Sequence, residues 1–144
     1  MTLRRFLVLG AAAFLPALAA AQSMTPEQRA ALDAAEKWLV PVDAGRYGDA
    51  YAMASEEFKA GVSRAQWNDG IRNIRKDYGK PASRTAEKMG FSGEPPKPDT
   101  GLSPGMKVVI LFASTFGTRK DVAEEMTMVY EKDGVWRMAG YYIR

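Results

Sequence analysis

Apolar residues recur at helical spacing through the first half of this chain and alternate through the second, with the change near Pro81. Thr25-Pro26-Glu27-Gln28 has the make-up of a helix start. Thr25 can cap, proline suits the first helical position, and Gln28 can reach back to the cap. Leu32, Ala35, Leu39 and Val42 then share one face, with Trp38 beside it. Pro41 disfavours helical geometry at Val40, so this helix is expected to end or kink there. Gly45-Arg46-Tyr47-Gly48 reads as a turn into a short second helix that buries Tyr47, Ala50, Tyr51 and Ala54. Ser55-Glu56-Glu57-Phe58 opens a further short turn, with Phe58 and Val62 inward. Ser63-Arg64-Ala65-Gln66 forms a second capping box. Trp67, Ile71, Ile74 and Tyr78 follow as an amphipathic stripe, Gly79 supplies a left-handed cap, and Pro81 bars continuation.

The second half predicts four antiparallel strands. The first, Ala82 to Phe91, has mixed alternation. Residues 92–105 carry Pro95, Pro96, Pro98 and Pro104 and cannot form a ladder. Met106 to Phe116 places Val108, Ile110 and Phe112 on one face and Val109 and Leu111 on the other. That pattern suits a central strand covered by helices on one side and by something else on the other. Gly117 to Asp121 turns the chain. Val122 to Lys132 alternates Met126, Met128 and Tyr130 against Thr127 and Val129. Asp133-Gly134 is a tight-turn pair. Val135 to Arg144 then sets Trp136, Met138 and Tyr142 opposite Val135, Ala139, Tyr141 and Ile143. Helices followed by strands predict an α+β domain, with N-terminal helices packed on a four-stranded antiparallel sheet.

Residues 1–21 change the picture of where this domain works. Arg4 and Arg5 precede an uncharged run from Phe6 to Leu18, and Ala19-Ala20-Ala21 ends it with small residues. This is the pattern of a secretory signal peptide. As a helix the run spans about 20 Å, short of the roughly 30 Å hydrocarbon core, so cleavage without a retained membrane anchor is expected. A Sec-type signal is favoured over the twin-arginine route, and the expected location is periplasmic or secreted. The expected mature chain, residues 22–144, is one domain.

Removing Arg4 and Arg5 from the 20 basic residues leaves 18 against 17 acidic, so the basic character of the whole chain largely belongs to the leader. A near-neutral domain lacks the concentrated positive field that nucleic acid requires. There is no histidine and no cysteine. That removes the Ser-His-Asp triad, thiol chemistry, disulfides and the commonest metal ligands, and no cofactor is expected.

Three stretches carry a family resemblance. They are Trp38-Leu39-Val40 through Val42-Asp43-Ala44-Gly45-Arg46-Tyr47-Gly48-Asp49-Ala50-Tyr51; Ser63 with Gln66-Trp67; and Gly134-Val135-Trp136-Arg137-Met138-Ala139-Gly140-Tyr141-Tyr142-Ile143. In order and spacing they resemble the exported bacterial proteins grouped as domain of unknown function 4019, from about Glu27 to Arg144. The resemblance implies a nuclear transport factor 2-like (cystatin-like) fold, in which helices pack against a curved sheet to form a cone. It implies an exported location and no reaction. The proline-rich insertion between the first two strands departs from the family pattern, and it bears on the mouth of any pocket.

Within that frame the expected working surface is the concave sheet face. Trp67, Met126, Met128, Trp136, Met138 and Tyr142 are the candidate ligand-binding residues, because methionines and large aromatics adapt to apolar partners. The same residues are also ordinary core formers. The first functional reading is a non-catalytic module that takes a small apolar molecule or a protein partner. A second is a proton-transfer enzyme with a carboxylate and a tyrosine, for which Tyr47, Tyr51, Asp49 and Asp77 are the available groups. A third is a structural homodimer joined through the exposed sheet face. Asp43 and Asp49 are expected to order the turn at 45–48, and Arg72, Arg75 and Lys76 to form a solvated helix face.

Overall fold

Both predicted capping boxes form. Gln28 N–H donates to Thr25 Oγ1 at 3.2 Å and Thr25 N–H to Gln28 Oε1 at 3.0 Å. Ser63 and Gln66 repeat the exchange at 3.1 and 2.9 Å. In the computed structural model, which describes residues 23–117 and 119–144, these boxes open α1 (Pro26–Asp43) and α4 (Arg64–Arg75). The predicted leader lies outside the described residues. Between the two helices come α2 (Tyr47–Ala52) and α3 (Glu56–Gly61); the expected turn at Ser55 closes into the latter, with Ser55 Oγ accepting from Phe58 N–H.

The expectation that α1 ends or kinks at Val40 needs correcting, since the helix runs on to Asp43. Pro41 falls in the last turn, where a missing N–H forfeits only one helical hydrogen bond. Burial of Leu39, Pro41 and Val42 against the core outweighs that loss, and Val40 is turned out to solvent. The extra turn carries Asp43 inward. Two indole N–H groups then tie the helices together: Trp38 donates to Ala50 O at 2.9 Å and Trp67 to Tyr47 O at 2.8 Å.

The strands β1 (Pro81–Ser92), β2 (Lys107–Phe116), β3 (Arg119–Tyr130) and β4 (Trp136–Ile143) form one antiparallel curved sheet in the order β1-β2-β3-β4, with the helices on one face. The fold is therefore α+β as read. Arg119 to Asp121, expected in the turn, already belong to β3. Two surplus residues set the side-chain parity. In β1, Ala86 pairs with Phe112 and Lys88 with Leu111, so Glu87 is a bulge, and Arg84 and Ala86 before it face the same side as Met89 and Phe91 after it. This is why alternation in β1 is mixed. In β4, Met138 pairs with Met128 and Gly140 with Thr127, which leaves Ala139 unpaired. The expected grouping of Tyr142 with Trp136 and Met138 is corrected here. The bulge turns Tyr141 inward and Tyr142 outward, where it is 63% exposed.

The concave face is filled. Val108, Ile110, Phe112, Met126, Met128 and Met138 are each at most 1% exposed and pack beneath Leu32, Ala35, Trp38 and Leu39. On the outer face Val109, Leu111 and Ala113 are half-buried by their strand neighbours, and among the described residues no further element covers them. Met126→Ala is expected to cost about 2–5 kcal/mol in urea denaturation, the range for truncating a packed core side chain. A cost under about 1 kcal/mol would mean that Met126 borders empty space.

Candidate functional site

Two features stand out from the packed interior: a buried ionic cluster, and an open groove beside β4. The cluster is built from the ends of six elements. The extra turn of α1 supplies Asp43 and the last turn of α4 supplies Arg75. Inward positions on β1, β2, β3 and β4 supply Arg84, Ser114, Glu124 and Tyr141.

Arg84 holds the centre. Its Nε and Nη2 donate to Glu124 Oε2 and Oε1 at 2.7 and 2.9 Å. Its Nη1 and Nη2 donate to Asp43 Oδ2 and Oδ1 at 2.7 and 3.1 Å. Glu124, with no solvent exposure, also accepts from Ser114 Oγ at 2.5 Å and from the Tyr141 hydroxyl at 2.6 Å. Arg75 is 3% exposed. It donates to Asp43 Oδ1 at 2.9 Å, to Gly79 O at 3.1 Å and to the Tyr141 oxygen at 3.3 Å, with its guanidinium over the Phe116 ring. Two cations face two anions, so the enclosed charge cancels. Burial works against the Arg84 charge, but the hydrogen bonds and charges of Asp43 and Glu124 outweigh it and hold its pKa above that of free arginine. Burial first, and then the Glu124 carboxylate beside it, push the Tyr141 hydroxyl well above the ordinary phenol range.

A carboxylate and a phenol thus do converge, but at Glu124 and Tyr141, not near Tyr47 and Tyr51. Both Glu124 oxygens are occupied by Arg84, Ser114 and Tyr141. A base held this way has no free lone pair directed at a substrate, and a general base must come within hydrogen-bond reach of the proton it takes. Of the groups first considered, Asp49 is exposed and paired with Arg46, Asp77 is exposed, and Tyr51 donates its hydroxyl to Val62 O at 2.7 Å. Asp43 and Arg75 are corrections to the sequence reading. The first does not merely order a turn, and the second is not on a solvated face. Among the described residues no group of three or more carboxylates is placed to hold a metal ion.

The open feature is a groove of about 520 Å³ between α3–α4 and β4. Phe58, Val62, Trp67, Ile71 and Ile74 form its helical wall, and residues 139–143 of β4 form the other. Ile74, expected in the buried stripe, is instead 47% exposed at this wall. The six candidate binding residues are divided. Trp67 and Tyr142 line the β4 groove. Met128, Trp136 and Met138 lie under a second depression, of about 600 Å³, between α1 and the β3–β4 hairpin. There they are at most 6% exposed, and Met126 is sealed between the two. No enclosed chamber unites them. The residues missed were Asp43, Arg75, Arg84, Glu124 and Tyr141. Glu124 left a signal: it alternates with Met126 and Met128 on the inward face of β3, where an unpaired carboxylate is untenable.

Residues 34–141 match the family described as protein of unknown function, DUF4019, and the chain belongs to that family. No curated protein and no solved structure shows a significant match.

The cluster predicts a particular alkaline behaviour. The Tyr141 pKa is raised in the folded state, so its contribution to stability is complete below the unfolded phenol pKa of about 10 and is lost as pH rises beyond it. In a spectrophotometric titration one tyrosine is expected to resist ionisation until the protein unfolds. Tyr141→Phe is expected to remove that late step, and a late step that persists in the variant would reject the assignment.

Proposed function

We propose that this chain is an exported, non-catalytic binding module whose working surface is the apolar groove between α3–α4 and β4. The observation that carries this reading is the exposure of Ile74 and Tyr142 beside Trp67 along an open groove, while the convergence of carboxylate and phenol at Glu124 and Tyr141 is locked by hydrogen bonds. Export to the periplasm rests on the leader-like residues 4–21. The nuclear transport factor 2-like cone belongs to the same proposal, supported by the helix-backed curved sheet. The occupant of the groove is apolar, a small molecule or a segment of a protein.

Nile red titrated into the mature chain tests this reading. Saturable binding is expected, weakened at least about tenfold by Ile74→Asp and unchanged by Val40→Asp, a second exposed apolar site at the far end of α1. Equal loss in both variants, or no uptake by the parent protein, would reject the groove.

A second reading follows from the outer sheet face. Val109 and Leu111 are apolar and central, and among the described residues no element covers this side. A second copy packed face to face is the homodimer this suggests. Sedimentation at micromolar concentration is expected to give a dimer that Leu111→Lys dissociates. A monomeric parent protein would exclude it.

A further inference from the structure

We infer that the groove receives an extended polypeptide, which adds to β4 as a fifth strand; this rests on the proposed function and specifies its occupant. The backbone supplies the reason. Arg144 and Ala123 exchange both N–H···O bonds, at 2.9 and 2.8 Å. In an antiparallel ladder such pairs alternate with pairs whose N–H and C=O point away from each other. Counting back along the register, Ile143 opposite Glu124 and Tyr141 opposite Met126 are pairs of the second kind. Their four backbone groups therefore face out from the sheet edge, where no described segment bonds them.

The edge has already accepted a partner one step earlier. Ala54 forms a parallel bridge with Met138, and Ser55 N–H donates to Met138 O at 2.9 Å before α3 carries the chain away. The vacant positions continue that same pairing. The opposite edge is guarded: β1 begins with Pro81 and carries the bulged Glu87 and the adjacent Lys88, devices that discourage pairing. After its own bulge β4 reads Gly140-Tyr141-Tyr142-Ile143, with no charge and no proline.

The helical wall fits a backbone at this distance. Gly70 sits in mid-α4, where glycine weakens a helix, and a Cβ there would meet nothing within 4 Å. The open space belongs to the groove. Strand addition also sets the chemistry of the occupant. Its alternate side chains enter between Trp67, Ile71 and Ile74, so these are apolar. The others lie beside the outward row of β4 and its end, whose arginines are already paired, Arg137 with Glu131 and Asp133 and Arg144 with Glu125, so these are polar without a required charge.

The test uses the mature chain and a short synthetic peptide of alternating valine and glutamate. Two further versions carry methyl groups on all valine backbone nitrogens or on all glutamate ones. A lysine version replaces the glutamates. The parent peptide is expected to bind and to slow amide exchange at Tyr141 and Ile143 at least about tenfold, and the lysine version to bind comparably, since neither arginine of the row is free of a carboxylate. One methylated version is expected to lose about tenfold or more in affinity while the other keeps it, because only one set of N–H groups faces β4. Gly70→Leu is expected to abolish binding without lowering the melting temperature. If both methylated versions bind like the parent and the two amides gain no protection, strand addition is wrong and the apolar groove stands. If Nile red binds and no peptide does, the occupant is a small molecule and the inference is equally wrong. If neither binds, the groove reading falls with it.

Discussion

Arg84 is the constraint on which the rest of the molecule turns. One guanidinium is shared by carboxylates from a helix end and from a neighbouring region of the sheet, so it fixes α1 against β1 and β3 at once. Against a well-packed apolar substitute such a cluster gains little, but losing one partner would strand a buried charge at a cost of about 3–5 kcal/mol. Its value is therefore in specificity more than in net stability. An apolar interior alone would tolerate sliding of the helices over Val108, Ile110 and Met128; a planar fork with four fixed bonds does not.

This arrangement explains which parts of the surface are closed. The end of the sheet near Ser114 and Glu124 is closed by bonds that occupy both Glu124 oxygens, and the middle is closed by methionines and aromatics. The margin along β4 stays open, and its helical wall is braced by Phe58 of α3 and Trp67 of α4, packed edge to face at 5.6 Å. The family, DUF4019, is described as one of unknown function, and the β4 groove is the surface to which the proposed binding role is assigned.

Much of the fold was legible because local signals agreed with the global arrangement. Thr25 with Gln28, and Ser63 with Gln66, mark helix starts by mutual hydrogen bonds that need no tertiary partner. The alternation in β2 is uninterrupted, so its two faces read directly. The misreadings have physical causes. Pro41 was weighed by its local cost, while the burial that overrides it is non-local. Arg75 and Asp43 were taken as solvated because charge is a surface prior, and their partners lie 32 residues apart. Tyr141 and Tyr142 were exchanged because a bulge is invisible in a period-two pattern until the register is known.

Ala139 deserves a last consequence. One unpaired residue in the final strand couples what the protein hides to what it displays: upstream of it odd-numbered side chains look outward, and downstream they look in. Pairing that residue with Thr127 in place of Gly140, at unchanged chain length, would swing the phenol out of the charged cluster and bring its exposed neighbour into it, whereas removing it would leave both where they are. A slip of register at this spot, more than a loss of length, is what would rewire the interior.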